Sequence, residues 1–481
     1  MHCSALSRLT GKWLFIAGPM IIFYLVLLPE NSYANSLSDP ALREKRSQTV
    51  SVENIPAPSK GNRYDLAAVI QYALKHNPNL RIAGKAVESE TYGIDAAKAD
   101  RMPRIDFGSG ITRYRYDTPL TPVVLKPPIG PGTDFPDFDR TIWDTGVSFK
   151  LPLFRGGRLY RAVNVAEIRK TIAQDNYKMS KQELIYNLTN VYYKIGQLEK
   201  LFLAHEASVE QLELHKKNVE LFLKTGTVPK LDLLKTEVEL SHAMEQRLLT
   251  RNSLASTYEL LKSLMGMDEM HSEISIDGEQ TRVDTHLVLE ESLTRAFFQR
   301  ADYKAVAKKR LIGDERVKIA QGKRLPDLFA SAQYGGNAGH ELAFKENWNA
   351  GLRLTMPILD GGLIRSEINK ERVELEKTKE EERFLRLAIT REVRDAHLSI
   401  INAQERIEVT RRAIESAKEN LRVELLKYET GAGTNTDVID ARTVLLRTET
   451  DYYQAFFDKE SAFAYFKKAV GEDEYDEEAQ K

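Results

Sequence analysis

Pro152-Leu153-Phe154-Arg155-Gly156-Gly157 recurs as Pro357-Ile358-Leu359-Asp360-Gly361-Gly362, at an offset of 205 residues. Trp143 meets Trp348 at the same offset, Thr225-Gly226 meets Thr430-Gly431, Asp232 meets Asp437, and Gly266 meets Gly471. A register kept without a gap from Trp143 to Gly266 is an internal duplication, so one architecture is built twice. Upstream, Met102-Pro103-Arg104-Ile105 matches Leu325-Pro326-Asp327-Leu328 at an offset of 223. The extra 18 residues lie between Pro103 and Pro152, where Pro119, Pro122, Pro127, Pro128, Pro131 and Pro136 describe an extended loop over 117–139.

Each half reads as helix, two strands, a very long helix, a turn and a shorter helix. From Gly361-Gly362 to Thr430 the chain has no proline, and 70 helical residues would run about 105 Å. A helix of that length calls for a coiled-coil seam. Val393, Ile400, Ile407, Ile414, Leu421 and Tyr428 supply one at seven-residue spacing, with Ala396, Ala403 and Ala417 on the second seam line. Leu188, Ile195, Phe202 and Val209 repeat the seam in the first half until Lys216 breaks it.

The strands decide the environment. Trp143, Val147, Phe149 and Leu151 alternate with Asp144, Gly146, Ser148 and Lys150. Trp348, Ala350, Leu352 and Leu354 alternate with Asn349, Gly351 and Arg353, and Leu328, Ala330, Ala332 and Tyr334 alternate with Ser331 and Gln333. One apolar and one polar face over about ten residues is the pattern of a membrane β-barrel strand, and no amphipathic helix is left to cover the apolar face. Four strands cannot close, and a lipid-exposed edge is not tolerated. Two copies would give a barrel filled by side chains, whereas three give twelve strands and a passage. The expected fold is mixed α and transmembrane β. It is a trimeric channel with four strands per protomer in a twelve-stranded barrel, carried on a long α-helical coiled-coil barrel.

Composition agrees. Lys plus Arg is 69 against 70 Asp plus Glu, so no net field points to nucleic acid. A mean hydropathy of -0.41 excludes a polytopic α-helical membrane protein. Arg8 and Lys12 precede an apolar run from Trp13 to Leu28 and then Ser32-Tyr33-Ala34, the pattern of a signal peptide cut after Ala34. The alternative there is an uncleaved anchor helix. Cys3, the single cysteine, lies inside that segment, so no disulfide or thiol chemistry is expected of the exported chain.

With the paired P-[LI]-[FL]-x-G-G and T-G-x-x-x-x-x-D motifs in place, the chain resembles the TolC-like outer-membrane efflux proteins from about residue 64 to 471. The resemblance implies a homotrimer in outer-membrane lipid of a Gram-negative bacterium, with its helical barrel projecting through the periplasm. It would serve as the exit duct of a tripartite efflux or type I secretion system, partnered by a periplasmic adaptor and an inner-membrane pump. The expected boundaries are a signal peptide over 1–34, a lead-in over 35–62, a helix over 64–102, a transmembrane hairpin over 104–153, and long helix, tip and return helix over 156–266. An equatorial connection over 267–300 then leads to a helix over 301–325, a hairpin over 327–358, the second long helix, tip and return helix over 361–471, and an acidic tail over 472–481.

The resemblance also assigns the tips. Tyr428-Glu429-Thr430-Gly431 and Asp437-Val438-Ile439-Asp440-Ala441 match the family's Tyr-x-x-Gly and Asp-Val-Leu-Asp-Ala. It implies a channel constriction at Asp437, Asp440, Tyr428 and Asp232. Asp437 and Asp440 are three apart on one helical face, and rings of carboxylates attract cations. The plainer reading is that Asp437 serves the N-terminus of its helix. Adaptor contact is expected at Thr225, Gly226, Thr227, Val228, Pro229, Lys230 and Leu231, and at Thr430, Gly431, Ala432, Gly433, Thr434, Asn435 and Thr436. The plainer reading of both is an interhelical turn. Family members often carry an arginine that can help hold the closed tip where this chain has Gly433, so the resemblance does not supply the latch here.

Other signals fail. Met265, Met267, Met270 and His271 invite a copper reading, but Met265-Gly266 aligns with Val470-Gly471 as a helix ending on glycine. The nine histidines show no H-E-x-x-H spacing, and no phosphate loop or G-x-S-x-G elbow occurs, so no cofactor, metal or catalysis is expected. The rival function is a non-transporting trimeric coiled-coil stalk or an adaptor of the envelope.

Overall fold

A computed structural model describes residues 62–122, 136–267, 274–276 and 288–472. The signal peptide, nearly all of the lead-in, the middle of the proline-rich loop, Met270, His271, most of the equatorial connection and nearly all of the acidic tail lie outside the described residues.

The first repeat runs α1 (Leu66–His76), α2 (Pro78–Ala99), β2 (Arg104–Pro119), β3 (Phe138–Arg155), α3 (Arg158–Lys224) and α4 (Lys230–Met265). The second runs α5 (Leu289–Gln299), α6 (Ala301–Gly322), β5 (Asp327–Ala338), β6 (Lys345–Thr355), α7 (Leu363–Glu429) and α8 (Asn435–Val470). Short strands β1 (Asn62–Tyr64) and β4 (Ile274–Ile276) pair in parallel. The two offsets in the sequence return as geometry: α3 and α7 begin and end 205 residues apart, as do α4 and α8, while α1 and α5 lie 223 apart.

α3 and α7 are each 67 residues, about 100 Å long. Their seams are buried where the heptads place them. Leu188, Ile195 and Val209 in α3, and Val393, Ile400 and Leu421 in α7, are almost wholly covered. Ala396, Ala403 and Ala417 are buried on the second line, where a methyl lets the partner helix approach. Ile407 and Ile414 are only half-buried.

Each repeat builds an equivalent core at the joint of its short and long helices. Ala73, Leu184, Leu188, Leu261 and Met265 pack together in the first, and their counterparts Ala296, Ile389, Val393, Phe466 and Val470 in the second. Pro78 splits the upstream helix: Asn77 caps α2 by accepting from the Leu80 amide at 3.0 Å. The Asn77 side chain also donates to the Leu264 carbonyl at 2.7 Å, and its equivalent Arg300 donates to the Ala469 carbonyl at 2.9 Å. Met265 is fully buried in this core and Gly266 takes the left-handed turn that ends α4, at φ 73°.

The sheet has the order β2-β3-β5-β6 and is antiparallel throughout. Ile111 sits opposite Trp143 and Tyr334 opposite Trp348, so the duplicated hairpins share one register. Phe107, Val147, Tyr334 and Trp348 line up across all four strands on the apolar face, and each is more than 40% exposed. Among the described residues no helix covers that face. β2 and β3, at 16 and 18 residues, are longer than the ten or so that a bilayer span requires.

Candidate functional site: the joined helix tips

The two turns at the far end of the long helices differ chemically despite their common origin. α3 and α7 both end on a left-handed glycine, Gly226 at φ 76° and Gly431 at φ 77°. In the second turn Thr434 then caps α8. Its hydroxyl accepts from the Asp437 amide at 3.2 Å, and Asp437 Oδ2 accepts from the Thr434 amide at 3.0 Å and hydroxyl at 2.7 Å. These bonds hold the Asp437 carboxyl below its ordinary value. The first turn has Pro229 in the place of Thr434, with neither hydroxyl nor amide proton, so Asp232 cannot close the same box. Asp440 is exposed one turn beyond Asp437.

The tips are pinned to each other through a buried polar centre that the motifs do not announce. Asn435, 1% exposed, donates from Nδ2 to the Asp232 carbonyl at 3.0 Å and to Thr236 Oγ1 at 3.1 Å. Its Oδ1 is then left to accept from His215 Nε2–H at 2.7 Å, which sets the tautomer of a nearly buried histidine. Lys235 Nζ donates to Thr436 Oγ1 at 2.9 Å, and Arg442 donates to Gln211 Oε1 at 2.9 Å. Around this centre Val219, Leu421, Tyr428, Val438 and Ala441 form a small apolar core, with Tyr428 5.5 Å from the His215 ring. The Tyr428 hydroxyl is buried with no hydrogen-bond partner among the described residues.

Burial drives the His215 pKa down against the upward pull of the Asn435 bond. Burial also pushes the Tyr428 phenol up. Arg442 lies across from His215, so a second cation there would be repelled as well as desolvated.

The structure therefore brings together Asp232, Tyr428, Asn435 and Asp437 at one joint. Asn435, grouped by sequence with the exposed turn, is buried, whereas Thr225, Gly226, Thr227, Pro229, Lys230, Leu231, Thr430, Gly431, Ala432, Thr434 and Thr436 are exposed. Val228 and Gly433 are half-buried. A Cβ on Gly433 would meet Lys427 Cβ at 2.9 Å, because the turn folds back on the end of α7. His215, Thr236 and Arg442 belong to no motif of the sequence. Their one trace in the sequence is the break in the first seam at His215-Lys216, where polar residues replace apolar ones. A shallow groove between α4 and α8 beside the tips is lined by Leu231, Leu234, Lys235, Val238, Thr436 and Ile439.

The model of the outer membrane efflux protein family matches residues 69–267 and 294–472. The chain belongs to that family. It is 20% identical over 393 residues to the outer membrane protein TolC of Salmonella enteritidis, covering 79% of this chain and 76% of that one. To the solvent efflux pump outer membrane protein SrpC of Pseudomonas putida it is 22% identical, over 84% and 85%. Among solved structures, the Campylobacter jejuni CmeC outer membrane channel superposes with a TM-score of 0.74 at 15% identity, covering 86% of this chain and 88% of that one.

The fold class is thus that of the trimeric, TolC-like outer-membrane channels: a β-sheet contributed to a barrel, and long helices contributed to a periplasmic tube. The outer-membrane efflux protein is an exit duct of a tripartite system and not an enzyme. Such channels work with a periplasmic adaptor and an inner-membrane pump. Among the described residues no group of His, Cys, Asp or Glu could hold a metal.

Proposed function

We propose that three copies of this chain close head to tail into a duct whose periplasmic end is shut by the tip joint and ringed by carboxylates. The observation that carries this reading is the pair of open ends that the duplication relates to each other. Within the chain, β3 of the first repeat pairs with β5 of the second. The equivalent pairing of β6 with β2 cannot form within one chain, and it leaves both edges of a lipid-facing sheet unpaired. Shifted by the two offsets, the pair Val147 and Tyr334 becomes Leu352 and Ile111, both on the apolar face. The helices repeat the argument. α3 packs on α8 through Gln182, which donates to the Gly471 carbonyl, and through Tyr186 against Tyr465. The equivalents of Gln182 and Tyr465 are Leu387 on α7 and Leu260 on α4, which stand exposed in the single chain. Leu398 and Leu249 extend those open faces.

In the closed ring Asp440, with Asp437 and Asp232 nearby, would line the narrow end and favour cations. The exposed members of the two turns, with the groove between α4 and α8, form the surface offered to an adaptor hairpin. Cargo follows from the pump that the duct serves.

Cysteines at Leu352 and Ile111 test the closure, in a background whose only native cysteine is Cys3. Mild oxidation should convert the double variant into covalent trimers, while each single variant stays monomeric in denaturant. Efficient cross-linking at a shifted pair instead, or none in a chain that is trimeric by mass, would refute this register. Purified trimers should conduct in planar bilayers with cation selectivity.

A further inference from the structure

On the wet face of the sheet, at the end nearest the helices, the charges do not balance. Arg104 lies directly opposite Lys150, a like-charge pair that costs a sheet stability. Arg353 lies two strands further on, directly opposite Phe329. The carboxylates of this region are already engaged: Asp106 with Arg104 at 2.9 Å, Asp327 with Arg155 and Arg158, and Asp360 with the Gly362 and Ile364 amides. Lys150 and Arg353 have no carboxylate partner among the described residues. Phe329 is an aromatic ring at the helix end of this face, opposite Pro152 on one side and Arg353 on the other. Lys150 Nζ stands 5.0 Å and the Arg155 guanidinium 5.6 Å from its centre. The ring thereby holds two cations in place over a polar surface, where flexible side chains would otherwise spread apart.

From this arrangement we infer that Lys150 and Arg353, set about Phe329, form an anion-binding belt in the lumen at the joint of barrel and helices. Its ligands are solutes bearing phosphate, sulfonate or several carboxylate groups. The belt rests on the reading that three copies close around the polar face. Closure brings six such cations to one level of a water-filled bore whose wall is of low dielectric, which strengthens their field. It lies at the opposite end of the helices from the acidic tips, so an anionic solute that passes the tips meets a favourable station before the exit.

The test is calorimetric titration of sodium tripolyphosphate into detergent-purified trimer at low salt. Binding should weaken at least tenfold in K150Q/R353Q. It should persist in K370Q/R372Q, which removes two exposed cations from α7. K150Q alone should give an intermediate loss if the double variant fails to assemble. No binding by the wild-type trimer, or equal binding by wild type and K150Q/R353Q trimers, would overturn the belt and leave the duct standing. A chain that is monomeric by mass would overturn both.

Discussion

Asp437 and Asp440 look alike in sequence and differ in what holds them. Asp437 commits one carboxylate oxygen, Oδ2, to the Thr434 amide and hydroxyl, whereas Asp440 is exposed with no such bond among the described residues. Replacing Asp440 with Asn should therefore lower cation selectivity, read as reversal potential in a salt gradient, more than replacing Asp437 with Asn. The Asp437 change should instead act chiefly on the start of α8. An equal loss from both would place both carboxylates in the ion path. His215 makes a separate prediction. Its folded pKa lies below the ordinary 6.5, so the unfolded chain binds the proton more readily. Stability at the tip must then rise with pH through that window and fall as pH drops below about 6.5. The groups facing it are Asn435 and Arg442 on α8, Asp232 on α4 and Tyr428 on α7. Conductance of the wild type should increase on acidification from pH 7 to 5, while His215→Gln should respond much less. A His215→Gln profile as steep as that of the wild type would locate the titrating group elsewhere. Asn435→Ala should cost about 1–3 kcal/mol by stranding buried partners, seen as faster hydrogen exchange at the start of α8.

Among the elements, the ends of the helices carry the sharpest constraints. Gly226 and Gly266 share a left-handed φ, yet a Cβ on Gly226 meets nothing within 4 Å and one on Gly266 meets the His76 carbonyl at 2.6 Å. Gly226→Ala should thus cost only the conformational strain, roughly 1–2 kcal/mol. Gly266→Ala should cost clearly more, because the end of α4 must move away from α1. Thermal unfolding of the two variants compares them directly. The buried stretches of the 67-residue helices follow the same logic at length. Where the seam is apolar, as at Leu188 and Ile195, packing decides. Where it turns polar, at His215, the helix is held by hydrogen bonds that must all be made.

For the molecule as a whole, the decisive property is a sheet whose exposed face is apolar. Trp348 stands in the row Phe107, Val147, Tyr334 and Trp348, and an arginine there should cost about 2–4 kcal/mol in lipid if it lies near the midplane. Asn349, its neighbour on the wet face, should accept arginine with little loss. Heat-modifiable migration and outer-membrane yield of Trp348→Arg against Asn349→Arg measure the difference. Similar yields would mean that this face does not meet lipid.

Repetition made most of this architecture legible. Offsets of 205 and 223 residues were readable as strings, and they reappear as helix bounds, strand register and equivalent cores because both repeats obey the same local rules. Heptad spacing determined the long helices, and alternation determined which strand face is apolar, since each depends on neighbours close in sequence. The split at Pro78 and the long first hairpin were less visible, being matters of boundary. What only the tertiary structure decided is the tip. His215, Thr236 and Asn435 are separated by up to 220 residues and are chemically ordinary. They become a buried centre solely because four helix ends converge there. Asp232 and Asp437 are matched by sequence, yet they diverge because one follows a proline that cannot donate and the other a threonine that can. Periodicity reports on one element at a time, whereas the pairing of polar groups across elements exists only once the chain has folded.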